Sequence, residues 1–268
     1  MDYLHAIILA IIEGLTEYLP ISSTGHLIIA SSLLGIAEKP FTKDFTIIVQ
    51  FGAILSVLVL YWRRFVTSRE IYFKLLVAFA PAAVIGLAVK NVIDRILGDV
   101  TVVAVALILG GLVLLVVDRF FAGQEKALKE SGKGTVNEIT YKQSLVIGLF
   151  QCLAFIPGVS RSASSIVGGL STKLTREAAA EFSFLLAVPT LTAATGLKLL
   201  KLYKTIEVEQ IWVIVLGNFV SFIVGAITIK LFLGFLTRHG FFVFGIYRIL
   251  VGALILALLA SGYHLQLM

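Results

Sequence analysis

Six runs of predominantly apolar residues, at about 43 to 61, 71 to 90, 100 to 117, 179 to 200, 210 to 233 and 241 to 262, are each long enough to cross a bilayer, for which a helix needs roughly 20 residues. In hydrocarbon every backbone N–H and C=O must be satisfied internally, so runs of this length predict helices. The rest of the chain agrees. Of its 268 residues 59% are hydrophobic and 14% charged, and the mean hydropathy is +1.00, far from the composition of a soluble globular domain. The expected fold is an all-α integral membrane protein.

Two more apolar stretches, around 4 to 19 and 145 to 156, stop at Pro20 and Pro157, and each is followed by a Ser-rich turn and a second short apolar piece. Each is too short or too polar to cross alone. Broken helices are tolerated at membrane depth only where protein buries them or where they line a wet cavity, so both are read as re-entrant helical hairpins. The halves also align at a constant offset of 137, with Tyr18-Leu19-Pro20 on Phe155-Ile156-Pro157, Ser23 on Ser160, Thr24 on Arg161, and Asp44-Phe45-Thr46 on Glu181-Phe182-Ser183. One hairpin plus three spans is an odd number of crossings, so the second half enters the membrane inverted. The expected division is a first repeat over 1–117, a polar linker over 118–140 and a second repeat over 141–268. Basic residues set the orientation. One side collects Arg63, Arg64, Arg69, Arg119, Lys126, Lys129, Lys133, Lys173, Arg176 and Arg238, against Lys39, Lys43, Arg95, Lys201 and Lys204 on the other. The first side is expected to be cytoplasmic, and the first hairpin then opens outward.

Several function classes drop out. The amino-terminal stretch carries Asp2, Glu13 and Glu17 and lacks a basic start, so no cleaved signal is expected there. A single cysteine, Cys152, and four unpaired His give neither an internal disulfide nor a zinc pattern. The net charge of +6 is spread over short loops, which reads as topology and lipid-headgroup contact, with no nucleic-acid partner expected. Membrane lipids are the expected surroundings, and a homodimer is left open.

The chemistry lies in two polar islands. Glu13 and Glu17 stand one helical turn apart on one face. Two carboxylates that close in low dielectric either share a proton or hold a hard divalent cation such as Mg²⁺ or Ca²⁺ between them. After Pro20 come Ser22, Ser23, Thr24 and His26; one hydroxyl suffices to cap a following helix, and His26 three residues from Ser23 is able to activate a hydroxyl or a water. In the second island Arg161 lies between Ser160 and Ser162, just after Pro157-Gly158. Gly158 lets the backbone approach a ligand, a helix starting near Ser162 aims its positive end at the same place, and the guanidinium fork matches phosphate oxygens. The alternative is an ion pair of Arg161 with Glu13, Glu17 or Glu181. Gln50, Glu181 and Arg248 also sit within spans and can pair with one another or with the hairpins.

Together, Glu13 through His26 and Pro157 through Ser162 resemble the two signature regions of the bacterial undecaprenyl-pyrophosphate phosphatase family of the bacitracin-resistance type, and the resemblance extends to Phe45–Gly52 with Gln50, to Tyr61-Trp62-Arg63-Arg64 and to Glu181–Pro189. It implies removal of the terminal phosphate from a polyprenyl pyrophosphate lipid, at a divalent-metal-dependent site in an inverted repeat, to recycle the carrier for cell-wall synthesis. It places catalytic weight on Glu13, Glu17, Ser23, His26 and Arg161, the metal on Glu13 and Glu17, and substrate contacts on Thr24, Gly158, Ser160, Ser162 and Ser165. The family usually continues Ser-Arg-Ser with Gly-Ala-Thr; here Ala163-Ser164-Ser165 follows, which keeps a hydroxyl and loses a glycine. The rival reading is a secondary transporter or lipid flippase without hydrolytic activity, since inverted repeats with broken helices are common transporter architecture.

Overall fold

The computed structural model describes residues 1–89, 99–263 and 265. Residue 90, the end of the second expected span, and Arg95, one of the basic residues used for orientation, lie outside the described residues. Among those described there are α-helices and two short 3₁₀ turns, and no strand.

The chain opens with α1 (Tyr3–Thr16), started by the Asp2 side chain accepting from the His5 N–H, and α2 (Ser23–Leu33). Next come α3 (Pro40–Ile48) and α4 (Gln50–Leu60), which form one 21-residue span interrupted at Val49. A short α5 (Trp62–Thr67) leads to α6 (Arg69–Ala88), and α7 runs over Val100–Ser131. Then follow α8 (Tyr141–Gln151), α9 (Arg161–Ser171), α10 (Arg176–Leu202), α11 (Val208–His239) and α12 (Phe242–Ala260). Among the described residues six helical segments are long and apolar enough to cross a membrane, at the six places the apolar runs predict. The protein is therefore a multi-pass, all-α membrane protein.

One boundary differs from expectation. The third span continues through Ser131 before Gly132 ends it at φ 65°, so most of the expected polar linker is helix. Long-range partners hold it there. Asp118 pairs with Arg176 at 2.9 Å, the Gln124 amide donates to the Leu170 carbonyl, and Glu125 accepts the Arg176 N–H.

Helices of the two halves are packed in exchange. α1 lies on α11 and α8 on α6, while α7 and α12 lie against each other. The first spans also meet: Asp44, near the start of α3–α4, pairs with Lys198 near the end of α10, and Glu181, near the start of α10, pairs with Arg64 just past the end of α4. Start-to-end pairing at both ends requires α3–α4 and α10 to run antiparallel. Close approach needs glycine at the crossings, since a Cβ on Gly52 would fall on the Asn218 carbonyl and one on Gly148 on the Ala78 carbonyl. The main core runs between them, through Tyr18, Phe182, Phe184, Leu185, Phe232 and Phe241, with the Tyr18 hydroxyl donating to the Ala53 carbonyl.

Candidate functional site

Both polar islands fall in helix breaks. Proline at 20 and at 157 cannot donate a helical N–H, so neither α1 nor α8 continues past its turn. α2 then starts after Ser22 (φ 70°, ψ 98°) and α9 after Ser160 (φ 76°, ψ 118°). Positive φ at a residue other than glycine costs on the order of 1–3 kcal/mol and concentrates at functional sites. The matched conformations put Ser22 opposite Ser160 and Ser23 opposite Arg161. This corrects by one residue the pairing of Ser23 with Ser160 and Thr24 with Arg161. The second turn has one more residue between its proline and its cap, and Gly158, at φ 93°, takes up the extra length.

The two turns enclose a cavity of about 150 Å³ lined by Glu17, Ser22, Ser23, Thr24, Gln50, Ala154, Pro157, Gly158, Ser160, Arg161 and Leu191. Glu17 joins the islands. Its Oε2 accepts from the Ser23 hydroxyl at 2.7 Å, and its Oε1 from Arg161 Nη2 at 3.1 Å. Arg161 Nη1 donates to the Ser183 carbonyl at 2.7 Å, and its Nε has no partner among the described residues. The ion pair considered for Arg161 is thus made with Glu17. The amide end of α2 has no side-chain cap, whereas Ser160 caps α9 by accepting the Ala163 N–H.

The remaining expected residues divide. Glu13 lies one turn before Glu17, fully buried, and neither carboxylate oxygen has a hydrogen-bond donor among the described residues. His26 makes its hydrogen bonds elsewhere than to Ser23: Nδ1 meets the Ser22 carbonyl at 2.8 Å and Nε2 the Tyr247 hydroxyl at 2.8 Å. A carbonyl only accepts, so Nδ1 carries the proton and Nε2 is the basic nitrogen. Ser162 and Ser165 stand behind the cavity wall. Ser162 donates to the Leu19 carbonyl and meets Ser160, tying the turns together, and Ser165 meets the Ser183 hydroxyl at 2.7 Å, under Arg161.

Orphaned, sealed carboxylate oxygens on Glu13 and a second carboxylate one turn away are hard donors of the kind Mg²⁺ or Ca²⁺ selects. Among the described residues no cluster of three His, Cys, Asp or Glu occurs, so an ion at this pair would complete its shell from hydroxyl, water or substrate oxygen. Sequence reasoning gave little weight to Gln50 and to Arg248, which bonds to both turns. The signal was present for both, a polar side chain inside an apolar span. On the other face of the second turn, Leu153, Ile156 and Val159 join Val102, Val105, Ala106, Leu109 and Val113 of α7 around an apolar groove of about 470 Å³.

Fold and site define a multi-pass helical membrane protein in which two broken helices enclose a polar cavity bearing an arginine, a carboxylate and hydroxyls. Residues 6–254 match the family described as Bacitracin resistance protein BacA, and the chain belongs to that family. The undecaprenyl-diphosphatase of Bdellovibrio bacteriovorus is 55% identical over 267 residues, 100% of both chains. That of Flavobacterium johnsoniae is 54% identical over 259 residues, 96% of each, and that of Aquifex aeolicus 43% over 249 residues, 92% of this chain and 95% of its own.

Proposed function

We propose that this protein is an undecaprenyl-diphosphatase, a membrane phosphatase that hydrolyses the terminal phosphate of undecaprenyl pyrophosphate and so recycles the lipid carrier for cell-wall synthesis. The observation that carries this reading is the Ser23–Glu17–Arg161 chain, which spans both helix breaks at a polar cavity among membrane helices. Full-length relatives of that name support it.

The terminal phosphate enters the cavity against Arg161, whose Nε is spare, and against the uncapped amide end of α2. Such donors act on charge that develops during phosphoryl transfer, where positioning and neutralisation supply most of the catalysis. Ser23 Oγ attacks the terminal phosphorus, its proton passes to Glu17, and the bridging P–O bond breaks to leave polyprenyl monophosphate. Water then releases phosphate from the phosphoserine. His26 serves this second step as the base that takes the water's proton once its Nε2 exchanges the Tyr247 hydroxyl for that water. Assigning the first proton to Glu17 follows from its 2.7 Å contact with Ser23. Glu13 and Glu17 would hold a divalent ion, which would supply neutralisation of phosphate charge. The isoprenoid tail leaves over the second turn into the apolar groove along α7.

The antiparallel first spans and the two helix breaks support an inverted repeat with re-entrant hairpins, and the basic loops support a bacterial cytoplasmic-membrane protein with the first hairpin opening outward. The same architecture suits a carrier, and hydrolysis separates the two readings. The test is phosphate release from undecaprenyl pyrophosphate by the detergent-purified protein, with and without EDTA, beside Ser23→Ala and His26→Ala. Metal-dependent release that falls at least about 100-fold in Ser23→Ala is expected. No release from folded wild-type protein would leave the carrier reading in its place.

A further inference from the structure

Arg248, on α12, is fully buried. Its Nε donates to the Leu107 carbonyl at 3.3 Å, Nη1 to Pro20 at 3.1 Å and Val159 at 2.9 Å, and Nη2 to Ala106 at 3.1 Å and Gly158 at 2.9 Å. A guanidinium has five N–H donors, and here each has a main-chain carbonyl. None of these partners carries a charge. Sealing a cation away from water without a counter-ion is costly, and intramembrane cations mark function by default. The space is cut for it, since a Cβ on Gly110 would fall on the guanidinium.

The carbonyls it holds belong to both helix breaks at once: Pro20 in the first, Gly158 and Val159 in the second. In a planar trans peptide C=O and N–H point in opposite directions. Holding the Val159 carbonyl therefore turns the N–H of Ser160, which lines the cavity, away from Arg248. We propose that Arg248 is a positioning residue for phosphate recognition: it fixes the two turns relative to each other, orients their peptide groups, and keeps a permanent positive charge behind the cavity without touching substrate. This rests on the phosphatase reading for its rate predictions, and on the cavity alone for its binding prediction.

The variants are Arg248→Lys, Arg248→Met and Gly110→Ala in the full chain, compared with wild type by melting temperature, kcat and KM for undecaprenyl pyrophosphate, and calorimetric binding of inorganic phosphate. An ammonium keeps the charge, yet three donors on one nitrogen cannot span five carbonyls. Arg248→Lys is therefore expected to lose about 100-fold in kcat, the scale of a small misplacement at a reacting centre, with KM changed far less. Phosphate binding weakens about tenfold or more. Gly110→Ala displaces the guanidinium without removing it and shifts both readouts the same way by a smaller factor. If Arg248→Met fails to fold, these two variants decide. Wild-type kcat and wild-type phosphate binding in folded Arg248→Lys and Gly110→Ala would overturn the proposal. Absent turnover in wild type would instead strike the phosphatase reading, and the phosphate-binding comparison would then judge Arg248 by itself.

Discussion

Glu13 sets a cost against a use. A carboxylate with no hydrogen-bond donor among the described residues, sealed beside Glu17, burdens the fold when charged. Glu13→Gln keeps its shape and removes the charge, so the melting temperature is expected to hold or rise while metal-dependent phosphate release falls about 100-fold. A lower melting temperature with an unchanged rate would make Glu13 a structural residue. At this scale the sequence shows which side chains matter, because Glu, Ser and Arg stand out in apolar runs. It does not show their partners. Ser23 reaches Glu17 and His26 reaches Tyr247 because Ser22 takes a positive φ, a choice that no residue preference announces. Arg248 also stands out as a charge within a span, but its partners do not, since all of them are carbonyls, which every residue carries.

Among the helices, apolar length and proline position predict nearly everything. The six spans and both breaks follow from them, because a bilayer leaves the backbone no other way to satisfy its polar groups. The extension of α7 was hidden because residues 118–131 are polar, and their helix depends on partners such as Leu170 and Arg176. Crossings depend on glycine. Gly148→Ala, where the Cβ would meet the Ala78 carbonyl, is expected to lower stability by about 1–3 kcal/mol. Gly234→Ala, in α11 with nothing near its Cβ, should hold or raise stability. Thermal melting in detergent checks the pair, and equal losses would mean that α8 and α6 do not pack as closely as described.

For the whole molecule, the exchange of helices makes each half depend on the other: α1 packs on α11, α8 on α6, and the cavity takes Glu17 and Ser23 from one half and Arg161 from the other. Asp44 and Glu181, aligned at the offset of 137, each pair with a basic residue at the far end of the opposing span, Lys198 and Arg64. Orientation is tested in intact cells with a membrane-impermeant thiol reagent and Cys152→Ser as background. Lys39→Cys is expected to label from outside and Lys129→Cys only after permeabilisation, both being exposed positions. The reverse pattern would turn the molecule over.

At 32 residues α7 is about 48 Å long, against a hydrocarbon core of about 30 Å. Its end beyond Asp118 is braced at Gln124 and Glu125, which makes it a stiff mast on a small particle. A soluble domain spliced in helical register onto that mast would move as one body with the protein, giving electron microscopy a landmark by which a molecule of 29.1 kDa can be aligned.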